Sequence, residues 1–165
     1  MDVGFARSRG AHVAYTTFGE GPLDLLWLST LTVSLDSFED EPHTARYLRR
    51  LASFARVIRF DWRGVGSSDP PESTAVHEIA DMAADALAVL DAVGTERVVV
   101  LAETGAGVVG LQLAVDAPER VASLVLASCY ARLARADDYR IGLRPELLDA
   151  FLRDNPNPDV EWTVG

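Results

Sequence analysis

Residues 97–110 read RVVVLAETGAGVVG, an apolar β-branched run, a tight glycine-bearing turn, and then small residues that open a helix. A strand that bends sharply into a helix, with a hydroxyl residue at the bend, is the build of a nucleophile elbow, whose usual string is G-x-S-x-G. Residues 102–107 read AETGAG, which makes Thr104 the hydroxyl and the match partial. Gly105, Gly107 and Gly110 also spell G-x-G-x-x-G between strand and helix, the fingerprint of a dinucleotide-binding turn. Two features oppose that rival reading. The strand is the fourth or fifth of the chain, not the first, and the acidic residue expected about 20 residues on has no counterpart at Ala127 or Ser128.

The flanking sequence sets this turn in an alternating frame. Residues 3–8 and 11–18 alternate loosely around Arg9 and Gly10 and predict an opening hairpin. Residues 23–29, LDLLWLS, form a short strand buried on both faces. Pro42 suits the first turn of a helix, and residues 44–54 carry Ala45, Leu48, Leu51 and Ala52 at helical spacing. A strand at 57–60 runs into the ordered loop DWRGVGSSDPP, residues 61–71. Ser73 or Thr74 caps a long helix that continues to Val93 and stops at Gly94. After the elbow come a helix at 105–116 and a strand at 122–127, and then the rhythm stops. Residues 131–144 are basic and loop-like, and PELLDAFLRD, residues 145–154, is a short amphipathic helix. The pattern predicts an α/β fold, a doubly wound and mostly parallel sheet with an N-terminal antiparallel hairpin.

Composition narrows the function classes. At 165 residues and 48% apolar content, the chain suits one domain with a real core. A net charge of -10 opposes nucleic acid as a partner, because phosphate binding needs a basic face. No apolar run approaches a membrane span, and MDVGFARSRG lacks an apolar signal core, so a cytoplasmic protein without a membrane partner is expected. All fifteen basic residues are Arg, which removes Schiff-base and P-loop lysine chemistry. His12, His43 and His77 lie far apart without ligand spacing, so neither a metal nor a cofactor is expected. Cys129, the single cysteine, reads as an inert thiol at a buried strand end.

Together the hairpin, GEGPLDLLWLS, RYLRRLASFARVIRFDWRGVGSSDP, the elbow and DAPERVASLVLASCYAR resemble the α/β-hydrolase fold. More closely, they resemble the actinobacterial hydrolase-type domains that stand alone as small lipases or esterases, or precede class III adenylate cyclase domains. The most specific piece is D-x-R-G-x-G-x-S, met by Asp61, Arg63, Gly64, Gly66 and Ser68. The resemblance implies carboxylic-ester hydrolysis of a small ester or acyl ligand, with Thr104 in the nucleophile position and the Gly105 amide in the oxyanion hole. It draws the second oxyanion donor from the loop of Ser29, Thr30 and Leu31, with Thr30 the candidate, and makes Ser29 a substrate-binding group. Glu103 reads as a solvated turn residue or as a substrate-binding group that steers charge, and Asp61 and Arg63 as braces of the loop beside the pocket. It also implies a core over residues 1–130 and the start of a cap over 131–165, a hydrolase fold truncated at its C-terminus.

Departures from the pattern shape the functional expectation. Ala102 and Ala106 stand where the motif has glycine, and a methyl in a tight contact costs about 1 to 3 kcal/mol, so a slightly relaxed bend is expected. Threonine, being β-branched, resists the backbone angles of an elbow, although its hydroxyl can attack when a base activates it. The acid and histidine of this fold follow the nucleophile, and no histidine follows Thr104. The chain is therefore expected to be weakly active or inactive. The alternative is a non-catalytic ligand-binding or regulatory module linked to an adenylate cyclase or a transcriptional regulator. The apolar edge at 122–127 leaves two expectations, a fragment of a longer gene product or a homodimer that completes the sheet. Arg46, Arg49, Arg50 and Arg56 read as a solvated face, and Asp85, Asp91 and His77 as surface groups.

Overall fold

Each central strand carries apolar side chains on both faces, so the sheet needs a helical layer on each side. The structure, a computed structural model, describes residues 2–29, 33–37, 41–71 and 78–154. In chain order it contains β1 (Gly4–Ser8), β2 (Ala11–Phe18), β3 (Leu23–Leu28), α1 (Pro42–Ala52), β4 (Ala55–Phe60) and α2 (Ile79–Val93). Then follow β5 (Val98–Glu103), a 3-10 turn (Thr104–Ala106), α3 (Gly107–Asp116), β6 (Val121–Ala127) and α4 (Pro145–Asp154). The strands form one sheet in the order β1-β2-β4-β3-β5-β6. The pairs β1–β2 and β2–β4 are antiparallel, and β4, β3, β5 and β6 run parallel. This is the doubly wound sheet with a leading hairpin that the sequence predicts. No helix among the described residues is long and apolar enough to cross a membrane.

Alternation along the strands sends side chains to the two layers. Leu25, Trp27, Ala55, Val57 and Leu101 pack with Leu48 and Leu51 of α1. Leu26, Leu28, Ile58, Val100 and Ala102 face the other way, against Ala83, Ala86, Val89 and Leu90 of α2 and Val109 and Leu113 of α3. Burying one Leu or Val side chain contributes about 1.5 to 3 kcal/mol, so these seams, rather than helix propensity, hold the helices on the sheet.

Local chemistry sets the helix ends. Glu41 caps α1, its carboxylate accepting the amides of His43 at 3.1 Å and Thr44 at 2.6 Å, and those bonds hold its carboxyl below the usual range. Gly94, at φ 73°, ends α2 as expected. The start of α2 corrects the sequence reading. The helix begins at Ile79, because Glu78 ahead of it is extended, with ψ 147°. The expected caps Ser73 and Thr74, and His77, lie outside the described residues.

Two ion pairs also depart from expectation. Asp85 is buried on α2 rather than on the surface, where its carboxylate takes a two-pronged bond from Arg63 at 2.8 and 2.7 Å. Arg56 lies on β4, not on the solvated face of α1, and forks onto Asp24 at 2.7 Å through both Nε and Nη2. Both follow from pairing: a buried carboxylate needs a cation and hydrogen bonds to offset lost hydration.

β6 is an edge strand with β5 on one side and no further strand among the described residues. Ala122, Ser123, Val125 and Leu126 are exposed on it. Beyond it the chain makes isolated bridges between Ala134 and Leu143 and between Ala136 and Tyr139 before reaching α4.

Candidate active site

The parallel register fixes where β5 delivers its last residues. Ala102 pairs with Leu28 on one side, and Glu103 pairs with Ala127 on the other, so Thr104 emerges at the carboxyl end of the sheet between two strands. Thr104 has φ 51°, is exposed, and opens the 3-10 turn that leads directly into α3. Positive φ in a β-branched residue is a genuine outlier, and such strain gathers at functional turns. Gly105 follows, half-buried. The leading amides of a helix have no intrahelical acceptor, so the Gly105 amide belongs to the group that can meet a developing oxyanion.

Ser29 is buried directly after β3, one residue past Leu28, which places it beside Glu103 across the β3–β5 pairing. Thr30 lies outside the described residues. Glu103 is half-buried, and its Oε1 accepts the Tyr47 hydroxyl at 2.8 Å. The Tyr47 ring in turn meets Trp27 edge-on, with centroids 5.8 Å apart. Burial and the Glu103 charge push the Tyr47 phenol well above its ordinary value, so it remains a donor. α1 is thus fastened to the elbow by a side chain that the sequence reading did not single out.

The loop that carries D-x-R-G-x-G-x-S does what a brace does. Asp61 Oδ1 accepts the Leu35 amide at 2.7 Å, and Oδ2 accepts the Ser67 amide at 2.9 Å. Arg59, buried over Phe18 and Trp27, donates to the Leu35 carbonyl at 2.9 Å. Leu35 is therefore held by both of its peptide groups, which positions the chain between β3 and α1 at the rim. Ser68 Oγ donates to the Asp61 carbonyl at 2.7 Å and accepts the Ala14 amide at 2.9 Å, tying the loop to β2.

Ala102 of the elbow is accommodated from the helix side. Ala102 and Ala106 are both fully buried. A Cβ on Gly110 would stand 3.1 Å from Ala102 Cβ and 3.2 Å from Leu124 Cδ1, and one on Gly107 only 2.5 Å from Cys129 Cβ. Two glycines of the G-x-G-x-x-G string thus serve close packing. Cys129 is half-buried, not fully buried as expected, and its thiol donates to the Ala102 carbonyl at 3.2 Å. Burial foremost, with the Glu103 charge adding, pushes the thiol up and keeps it protonated.

Among the described residues, no hydrogen bond joins a histidine to Thr104. His12 gives its amide to Asp69 Oδ2 at 2.7 Å and sets its ring Nδ1 3.0 Å from the same oxygen. It lies on β2, three strand spacings from β5, which is about 14 Å across the sheet. His43 is exposed in the first turn of α1, one helical turn before Tyr47. Among the described residues no group of three His, Cys, Asp or Glu side chains is arranged to hold a metal ion.

Comparison with known proteins matches this arrangement. A family model described as alpha/beta hydrolase fold covers residues 26–162. "Putative carbamate hydrolase RutD" of Variovorax paradoxus (strain S110) is 47% identical over 92 residues, which are 53% of this chain and 34% of that protein. A protein of the same name from Azorhizobium caulinodans is 38% identical over 85 residues, 52% of this chain and 31% of its own. Among solved structures, a hydrolase from Pseudomonas aeruginosa PA01 superposes with a TM-score of 0.71 at 29% identity, covering 93% of this chain and 52% of that one. Est816, an N-acyl homoserine lactone degrading enzyme, gives a TM-score of 0.69 at 26% identity, covering 92% and 52%. The chain thus spans about a third of the curated relatives and about half of these solved structures.

Proposed function

The chain belongs to the α/β-hydrolase fold family, and from that premise we propose that its elbow is an acyl-transfer seat, with Thr104 in the nucleophile position and the Gly105 amide as one oxyanion donor. The observation that carries this reading is the exposed Thr104 side chain at φ 51° on a strand-to-helix bend. Glycine or asparagine fills a turn of that shape at lower cost, so a threonine there points to a use for the hydroxyl. The substrate class is a carboxylic ester or a related acyl compound, as in lipase- and esterase-like domains. The names of the carbamate hydrolase and lactone-degrading relatives, which describe carbonyl compounds, support that class.

The same reading makes the chain a weak catalyst or none. A threonine hydroxyl attacks only after a base takes its proton, and the imidazole of His12 is engaged by Asp69 three strands away. What remains is binding and oxyanion stabilisation. Hydrolysis of short p-nitrophenyl esters by the chain, by Thr104→Ala and by Thr104→Ser tests the assignment. Turnover that vanishes with alanine and rises with serine supports it. Equal rates in all three remove it. That result would leave the second reading, a ligand-binding or regulatory module attached to an adenylate cyclase or transcriptional regulator.

A second copy of the chain is the proposed partner of β6, and the cytoplasm the proposed location. Antiparallel pairing about a two-fold axis at Leu124 sets Val125 against Ser123 and Leu126 against Ala122 of the other copy, large against small on each face. Charge and proline, two of the devices that protect natural edges, are missing from VASLVLA, whose one register shift against β5 falls at its start, between Val121 and Ser123. Sedimentation velocity should show a dimer that Val125→Lys dissociates. A monomer at every concentration would refute it.

A further inference from the structure

Glu103 has no ion-pair partner among the described residues. Among the described residues its one hydrogen-bond partner is the neutral Tyr47 hydroxyl at 2.8 Å, and no Arg pairs with it. Two other carboxylates away from full solvent are matched by cations, Asp24 by Arg56 and Asp85 by Arg63, while buried Asp61 is held by the amides of Leu35 and Ser67. A half-buried carboxylate without a cation is costly, and one adjacent to the reacting hydroxyl stands where its missing partner can be a ligand.

The surroundings suit a positive group. Consecutive Cα atoms are about 3.8 Å apart, so Glu103 and Thr104 leave the backbone side by side at the carboxyl end of the sheet. Tyr47, which holds the carboxylate, is 37% exposed, and an aromatic face beside a carboxylate attracts ammonium groups. The Tyr47 bond spends one oxygen of Glu103 and fixes its direction, leaving Oε2 for a ligand.

We propose that Glu103, steadied by Tyr47, is the specificity-determining residue of this site and selects esters or acyl ligands with an ammonium group near the carbonyl, while disfavouring anionic ones. This deepens the acyl-site reading above and rests on it. The test compares three ethyl esters of similar shape and different charge: β-alanine ethyl ester, ethyl butyrate and monoethyl succinate. Their binding to the 165-residue chain and to Glu103→Gln is measured by isothermal titration calorimetry at neutral pH. The expected order is cation, neutral, anion, with the cation about tenfold tighter than the neutral ester, which is about 1.4 kcal/mol. Glu103→Gln should abolish the order, and added salt should compress it in the parent chain. Equal binding of the three esters by the parent chain overturns the charge selection and leaves the acyl site standing. A cation preference that survives in Glu103→Gln also overturns it. If none of the esters binds, both readings fall.

Discussion

Gly107→Ala tests how the elbow is packed. A Cβ at this position would lie 2.5 Å from Cys129 Cβ and 2.6 Å from its Sγ, whereas carbon atoms in contact prefer about 3.5 to 4.0 Å. The sulfur can rotate away, but Cys129 Cβ is fixed to the backbone, so relief requires the first turn of α3 to lift or the end of β6 to move. Overpacking of this kind costs about 1 to 3 kcal/mol. Alanine returns up to about 1 kcal/mol through helix propensity, since Gly107 has an ordinary helical φ of -56° and carries no backbone strain. The net expectation is a loss of about 1 to 2 kcal/mol, which urea denaturation reads as a lower midpoint at unchanged slope. Cys129→Gly removes both obstructing atoms, so in its background Gly107→Ala should be neutral or stabilising, with a coupling energy above about 1 kcal/mol. A Gly107→Ala chain as stable as the parent, or a double variant whose effects simply add, would refute the idea that glycines on the helix make room for the elbow.

Thr104→Gly should raise stability by about 1 kcal/mol, the strain relieved at φ 51° exceeding the entropy that glycine adds to the unfolded chain, and a loss of stability would show that the hydroxyl or methyl is held by its surroundings. Asp85→Ala removes the two-pronged carboxylate from the Arg63 guanidinium, whose side chain is 7% exposed and which keeps the Ser8 carbonyl, and should cost about 3 kcal/mol by urea denaturation. Asp24→Asn should cost about 1 kcal/mol at neutral pH, a figure kept low because Arg56 is 37% exposed. The Arg56 hydrogen bonds foremost, aided by Thr95, hold the Asp24 carboxyl below its ordinary value. Its contribution is therefore complete above the unfolded carboxylate pKa and disappears as pH falls through the lowered folded value, so parent and Asp24→Asn should converge in strong acid.

Periodicity and punctuation made most of this fold legible. The alternation in LDLLWLS and ARVIRF, the stripe ending at Gly94, and the break between Ala127 and Tyr130 all correspond to elements or their limits. Pairing across sequence did not have that legibility. Tyr47 and Glu103 stand 56 residues apart, and nothing in RYLRR announces that its tyrosine reaches over the sheet to the elbow. Asp85 sits in a run of small helical residues with the look of a solvated acid, and only Arg63, brought across from the loop, makes its burial tolerable. Such pairs depend on strand order, and the order β4-β3-β5 interleaves segments that the chain visits far apart. The bend at Thr104 was readable because its determinants are local. What surrounds the turn was not, because Tyr47 reaches Glu103 from α1 and Cys129 reaches Ala102 from beyond β6.

The exchange of glycine for alanine at the elbow shows what the motif constrains. A strand and a helix that meet at a tight bend have a fixed gap between their backbones, and the side chains in it must fit whichever element bears them. Glycine on the strand is one way to satisfy that limit. Here Ala102 occupies the gap and Gly110 yields the space opposite, at a Cβ separation of 3.1 Å had both been alanine. The conserved quantity is then a summed volume shared by two positions, so judging the elbow from residues 102–107 alone overstates how far it departs from a working geometry. Mismatch at Ala102 therefore does not weigh against use of Thr104. The functional question narrows to its hydroxyl, the strained backbone that presents it, and the single carboxylate beside it.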